Sequence, residues 1–267
     1  MKTLDPEETR QALADYGLDR PRGLAFAFDD PARNVAYDWH SHPYHQLIHA
    51  MRGATWIETA SGRHVLPAGR AAWIPAGTRH RTLIGGDEGA SLYFSPQAVA
   101  DASGRIRILI AGPMMREMIL YAMRWPLGAG EDDPLAVSFF HTLSLLCRDW
   151  LQSELPLFLP RADHPAIVRA MDRASADPGA ATLATALDAA RMAERSFRRL
   201  FRQQTGMSWQ AWRGQLRLLH AMGALCEGQR ITDVAADAGY NSLSAFAKAF
   251  TRLTGESPSD FRRRHRG

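Results

Sequence analysis

Two sets of side chains in this 267-residue sequence have the types and spacing to do chemistry, and the first is a group of histidines. Five of the ten lie between positions 40 and 64: His40, His42, His45, His49 and His64. Residues two apart on a strand point the same way, so His40 and His42 present two imidazoles on one face. Pro75-Ala76-Gly77 reads as a turn, after which His80 brings a third imidazole from a later strand. Three imidazoles hold a divalent metal or line a small-molecule pocket, and both readings stay open here. With no carboxylate in the set, zinc or nickel suits it better than iron, and Gln46 offers only a neutral, weak fourth ligand. His45, His49 and His64 are assigned to surface or packing roles.

The second set is arginine. Arg195, Arg198, Arg199 and Arg202 recur at i, i+3, i+4 and i+7, which on a helix puts four guanidinium groups in one stripe. Like charges so placed repel by roughly 0.2–0.5 kcal/mol per pair, so the helix gains from an anionic partner. The charge balance along the chain points the same way. Residues 1–159 hold 15 Lys and Arg against 18 Asp and Glu, whereas residues 160–267 hold 17 against 10, and 16 of those 17 are arginine. The planar guanidinium fork suits phosphates and guanine edges, so double-stranded DNA is the expected partner of the C-terminal part.

The elements that must carry these groups change character along the chain. Between residues 35 and 94, short runs rich in Val, Ile, Trp and Tyr (VAYDW, QLIHAM, ATWIET, RHVL, AAWIP, SLYF) are divided by Arg52-Gly53, Ser61-Gly62, Pro67-Ala68-Gly69, Pro75-Ala76-Gly77 and Gly85-Gly86. That spacing predicts a compact all-β barrel or sandwich. From about Arg107 the period becomes helical, with helices over residues 114–123 and 135–151 whose apolar faces suit either a homodimer seam or packing within the chain. Leu155-Pro156 and Leu159-Pro160 then make a stiff connector. The expected division is a barrel over residues 1–100, a helical linker over 101–160 and an all-α domain over 161–267.

In that last part RSFRRLFRQQTG, residues 195–206, recurs 49 residues later as SAFAKAFTRLTG, residues 244–255. Phe197, Leu200 and Phe201 match Phe246, Ala249 and Phe250, each set on one helical face, and a short apolar helix precedes each copy. Two helix-turn-helix motifs, over about 182–203 and 231–254, follow from this, joined by one helix over residues 209–226. Outward positions of the second copy are Leu243, Ser244, Ala247 and Lys248, with Arg252 one turn on. These expect apolar and phosphate contacts, while the arginines of the first copy carry more of the charge and guanine readout. The paired helices should reach successive major-groove faces about one helical turn apart.

The segment ITDVAADAGYNSLSAFAKAFTRLTGESPSDFRR resembles the signature of the AraC/XylS family of bacterial transcription regulators. Gly239-Tyr240, Ser242, Phe246, Phe250, Gly255 and Pro258 stand where that pattern has them. The first copy departs from it: the turn glycine is Arg191, the capping serine is Ala193, and the usual Leu-Ala is reversed as Ala186-Leu187. A turn of different shape is therefore expected there. The stretch over residues 206–219 is similar to the efflux-associated, nitroimidazole-resistance-type branch of the family. His40-Ser41-His42, Gln46 and Gly53, then Gly69, Pro75, Ala76, Gly77 and His80, resemble the two motifs of a cupin barrel, with Gln46 for the usual glutamate and Ile84 for the usual asparagine. These resemblances imply a DNA-binding regulator, a homodimer whose barrel senses a small-molecule effector, with Trp39, Tyr44, Trp56, Trp73 and Tyr93 available to line the pocket. The alternative is a cupin-type metalloenzyme, oxygenase or isomerase, fused to a helical domain. It lacks a carboxylate near Gln46 to serve as base or iron ligand.

Composition narrows the rest. With 46% hydrophobic and 22% charged residues the chain falls in the ordinary globular range, not the disordered or fibrous one. It contains no apolar run of about 18 residues, and MKTLDPEETR is charged where a secretory signal needs an apolar core, so a cytoplasmic protein without a membrane span is expected. Cys147 and Cys226 sit in apolar helical stretches and read as reduced, structural thiols.

Overall fold

The structure, a computed structural model, describes residues 2–20, 23–29, 35–51, 54–84, 89–101 and 103–265. The predicted turns at Arg52-Gly53 and Gly85-Gly86 and the side chain of Ile84 lie outside the described residues. The chain forms two compact units: Met1–Thr59 with His64–Pro156, and Ala60–Arg63 with Leu157–Gly267.

In the first unit β1 (Lys2–Thr3) precedes α1 (Pro6–Asp15), which Asp5 and Glu8 start with a reciprocal capping box ahead of Pro6. There follow β2 (Ala25–Asp29), β3 (Val35–His40), β4 (His45–Ala50), β5 (Ala54–Thr59), β6 (Gly62–Pro67), β7 (Arg70–Ile74), β8 (His80–Ile84), β9 (Gly89–Phe94) and β10 (Arg107–Ile110). Two helices come next, α2 (Pro113–Ala122) and α3 (Pro134–Trp150), then β11 (Glu154–Leu155). One sheet runs β1-β3-β8-β5-β6 and the other β11-β10-β7-β4-β9-β2. Pairing is antiparallel between β4 and both β7 and β9, while β1 runs parallel to β3.

Alternation along β4 and β9 decides what faces where. Leu47, Leu92 and Phe94 join Trp73 on the side covered by α2 and α3, packing with Met115, Ile119, Phe140 and Leu143. Tyr44 and Tyr93 point the other way and pack with Phe26, Leu13 and Leu18. Trp73 is therefore core, stacked on His45 and donating its indole N–H to Asp101, and does not line the pocket it was assigned to. The helices over 101–160 lie on this sheet as part of the same unit. Arg107 to Ile110 is a strand and not the start of a helix, because it completes the sheet between β7 and β11.

The second unit contains β12 (Phe158–Pro160) and α4 (Pro165–Ala176), α5 (Leu183–Ala190), α6 (Glu194–Thr205), α7 (Trp209–Cys226), α8 (Ile231–Asp237), α9 (Leu243–Thr254) and α10 (Pro258–His265). Phe197 and Phe201 of α6 bury against Trp209 and Trp212 of α7. Phe246 and Phe250 of α9 bury with Phe261 of α10. Burying an aromatic ring contributes on the order of 2–3 kcal/mol, so these two clusters orient α6 and α9. Trp212 and Gln215 hold the proline connector to α7, donating to Pro160 O at 3.0 Å and Phe158 O at 2.6 Å. Cys147 is buried, its thiol pushed up to about 12 by desolvation, and Cys226 is half-buried. Among the described residues no helix is long and apolar enough to cross a membrane.

Candidate functional site

The repeat seen in the sequence extends to the hydrogen bonds that end α6 and α9. Thr205 and Thr254 donate their hydroxyls to Phe201 O and Phe250 O, and accept from the backbone N–H of Met207 and Glu256. Gly206 and Gly255 close α6 and α9 in the left-handed conformation, at φ 72° and 80°. Ser208 and Ser257 then cap the next helices, accepting from Ala211 N and Asp260 N.

The turn between α5 and α6 opens in the left-handed conformation, as in the second copy, although arginine stands in place of glycine, and it reaches the next N-cap one residue sooner. Arg191 takes φ 54° and ψ 48°, where the second copy has Gly239 at φ 71°. Met192 N–H reaches Leu187 O as Tyr240 N–H reaches Ala235 O. Arg169 of α4 holds the start of this turn: it donates to Ala189 O at 3.1 Å and Ala190 O at 3.3 Å, satisfying the carbonyls at the end of α5. Sequence reasoning missed this residue, since nothing local marks a cap supplied from another helix. Ala193 starts α6 without a side-chain cap, whereas Ser242 caps α9 by accepting from Ala245 N.

Arg195, Arg198, Arg199 and Arg202 are all exposed on α6, and Arg198 pairs with Glu194 at 2.7 Å. On α9, Leu243, Ser244, Lys248 and Arg252 are exposed and Ala247 is half-buried, with Ser242 exposed at its start. Leu243 is 47% exposed. The second unit thus offers one strongly cationic and one mostly neutral helix surface.

The histidines converge. Strand register pairs His40 of β3 with His80 of β8, after an irregularity in the ladder beyond Tyr37. His42 lies just past β3, not on it, and Gly77 N–H donates to its carbonyl at 2.9 Å, which ties the predicted turn to it. The ring centroids of His40 and His80 are 4.3 Å apart and those of His42 and His80 5.3 Å. One ring nitrogen of each lies within 4.8 Å of the others.

Each Nδ1 faces a backbone carbonyl: Asp38 O for His40 at 2.7 Å, Tyr44 O for His42 at 2.8 Å and Thr78 O for His80 at 2.9 Å. A carbonyl only accepts, so each Nδ1 carries the proton and each Nε2 presents a lone pair. Burial holds His42 down at about 4, helped by the charge of His40, and pushes His40 and His80 below their usual range. Neutral imidazole is the form that ligates metal. The Nε2 of His80 is fully buried without a hydrogen-bond partner among the described residues, and a metal ion would relieve that. Gln46 sits 3.2 Å from His42 Nε2 and contacts Ser91 Oγ at 3.1 Å. Its Oε1 faces the His42 ring nitrogen, while its NH2 donates to the serine hydroxyl oxygen.

His45, His49 and His64 are buried, so packing, not the surface, is their place. His45 does more than pack: its Nδ1 accepts from Ala76 N–H at 3.0 Å and steadies the turn before His80. Trp39, near this region, carries the guanidinium groups of Arg79 and Arg81 over its ring. Apart from the barrel, a cleft of about 780 Å³ opens between β2, residues 126–131 and α3, lined by Leu24, Phe26, Val137, Phe140 and Leu145 with Arg148 at its edge.

A β-sheet unit and a helical unit with two helix-turn-helix motifs are the arrangement of a transcription regulator that pairs a ligand-binding part with a DNA-binding part. A profile described as "Helix-turn-helix domain" matches residues 187–264, and one described as "AraC-like ligand binding domain" matches residues 22–154. The HTH-type transcriptional regulator NimR of Escherichia coli is 30% identical over 260 residues, covering 94% of this chain and 92% of that protein. The HTH-type transcriptional activator RhaR of Yersinia pseudotuberculosis is 45% identical over 74 residues, 27% of this chain and 26% of that protein. Among solved structures, ToxT of Vibrio cholerae aligns with 91% of this chain and 98% of its own at 11% identity and a TM-score of 0.38, too loose an overlap to bear on the assignment. The chain belongs to the AraC family of transcription regulators.

Proposed function

We propose that this regulator reads DNA with α6 and α9 and that its β-sheet unit, a cupin-like sensor, holds a divalent metal through the Nε2 atoms of His40, His42 and His80. On α6, Arg195, Arg198, Arg199 and Arg202 meet phosphates and guanine edges. On α9, Ser242, Leu243, Ser244 and Ala247 approach bases while Lys248 and Arg252 meet phosphates. Zinc or nickel fits the three imidazoles, with Gln46 as a weak fourth ligand. The metal would supply a Lewis-acid position at which a small-molecule effector binds, and effector binding would shift the balance between two states of the protein. The observation that carries the metal reading is the carbonyl held by each Nδ1, which fixes three neutral rings with their lone pairs inward.

In this reading the protein is a cytoplasmic homodimer and not an enzyme. Met114 and Tyr121 of α2 and Leu135, Val137 and Leu145 of α3, all large and exposed, form the seam. Its regulon includes a neighbouring efflux-transporter gene. The test pairs metal analysis of the purified protein with gel-shift titration on the DNA upstream of its own and neighbouring genes, with and without candidate drugs and metals. Stoichiometric zinc or nickel that disappears in a His40→Ala, His42→Ala double variant is expected. Equal, negligible metal in both proteins would reject the site, and binding no tighter than to random duplex would reject the reading helices.

A further inference from the structure

Arg217 lies on α7, the helix that joins the two motifs, and is half-buried. Its Nε donates to Pro178 O at 3.0 Å and its Nη2 to Gly179 O at 2.7 Å, both in the turn that leads into α5. The same guanidinium fills the space that a Cβ on Gly239, the turn glycine of the second motif, would need. Gly179 is itself pressed on the end of α8, since a Cβ there would strike the Asp237 carbonyl. One helical turn earlier Arg213 donates to Ala181 O at 3.1 Å. No carboxylate pairs with Arg217 among the described residues, and burial, with the charge of Arg213 behind it, lowers its pKa.

A half-buried cation satisfied only by carbonyls is a costly way to hold a surface that an apolar side chain would cover. What the planar fork adds is direction, because two donors fix the turn in both position and angle. We propose that Arg217 is a positioning residue for DNA recognition: it clasps the 177–181 turn of the first motif to the Gly239 turn of the second and so sets the separation at which α6 and α9 meet the duplex. The proposal rests on α6 and α9 being the reading helices.

The test uses the full-length chain and the tightest-binding fragment of the DNA upstream of its own gene. That fragment is compared with versions in which one sub-site is scrambled, or in which one base pair, roughly a tenth of a helical turn, is inserted between the sub-sites. Arg217→Met should weaken binding to the intact fragment about tenfold and leave binding to a single sub-site within about twofold. It should also lose most of the penalty that insertion imposes on the unaltered protein. Arg217→Lys, which keeps the charge but cannot serve both carbonyls, should fall between them, and decides the matter if the methionine variant does not fold. Equal losses on intact and half fragments, or an undiminished insertion penalty, would overturn the clasp. A parallel Arg199→Ala variant separates this from the parent reading: if that change leaves all fragments bound as before, the assignment of α6 fails, not the clasp.

Discussion

Replacing Arg191 with glycine should stabilise the helical unit. Arg191 is exposed, sits at φ 54° and ψ 48°, and is the one non-glycine residue with positive φ among the described residues. A side chain in the left-handed region costs about 1–2 kcal/mol because Cβ crowds the following carbonyl. Glycine removes that cost but returns about 0.4–1 kcal/mol through the greater freedom of the unfolded chain. The balance is a gain of about 0.5–1 kcal/mol, or roughly 2–4 °C for a unit of this size. The Arg169 bonds to Ala189 O and Ala190 O go to backbone atoms, so the substitution leaves them in place. Urea and thermal unfolding followed by far-ultraviolet circular dichroism would measure the gain, with Arg191→Asn expected between the two because asparagine tolerates this conformation. A glycine variant less stable than the parent, with asparagine no better than arginine, would refute the reasoning: the backbone would then not be strained at this turn.

Arg199→Ala should weaken binding by about 1–3 kcal/mol and relax preference at one base pair if the side chain grips guanine, as gel shifts on a substituted operator series would show; a uniform loss over all sequences would make it a phosphate contact. His49 predicts a pH effect. It is 1% exposed, neither ring nitrogen has a hydrogen-bond partner among the described residues, and burial, then the charge of Arg116, pushes it down to about 4. As pH falls below 6.5 the unfolded chain takes up this proton first, so stability is whole above that value and declines toward pH 4 by on the order of 3 kcal/mol. Denaturation midpoints across that window should fall less steeply for His49→Leu, and an identical slope in both proteins would contradict this account.

Much of the helical half was legible because its signals are local. The Thr-Gly ends and the Phe pairs that mark the two copies lie within four residues or so of each other, written into one helix or turn at a time. The same logic fails for groups that meet across the chain. The motif spacing suggested that His40, His42 and His80 belong together, but the registry of β3 on β8 and the carbonyl behind each Nδ1 arise from the ladder, not from any neighbour in sequence. The strand at Arg107–Ile110 likewise exists because β7 has an edge to fill. Helix faces, turns and the arginine stripe follow from the residues themselves, because 3.6-residue periodicity and capping need only adjacent positions. Tertiary packing alone decided that Arg169 would reach the end of α5, that Arg217 would touch both motifs and that Trp73 would join the core under α2 and α3, since each depends on which distant part of the chain comes within reach.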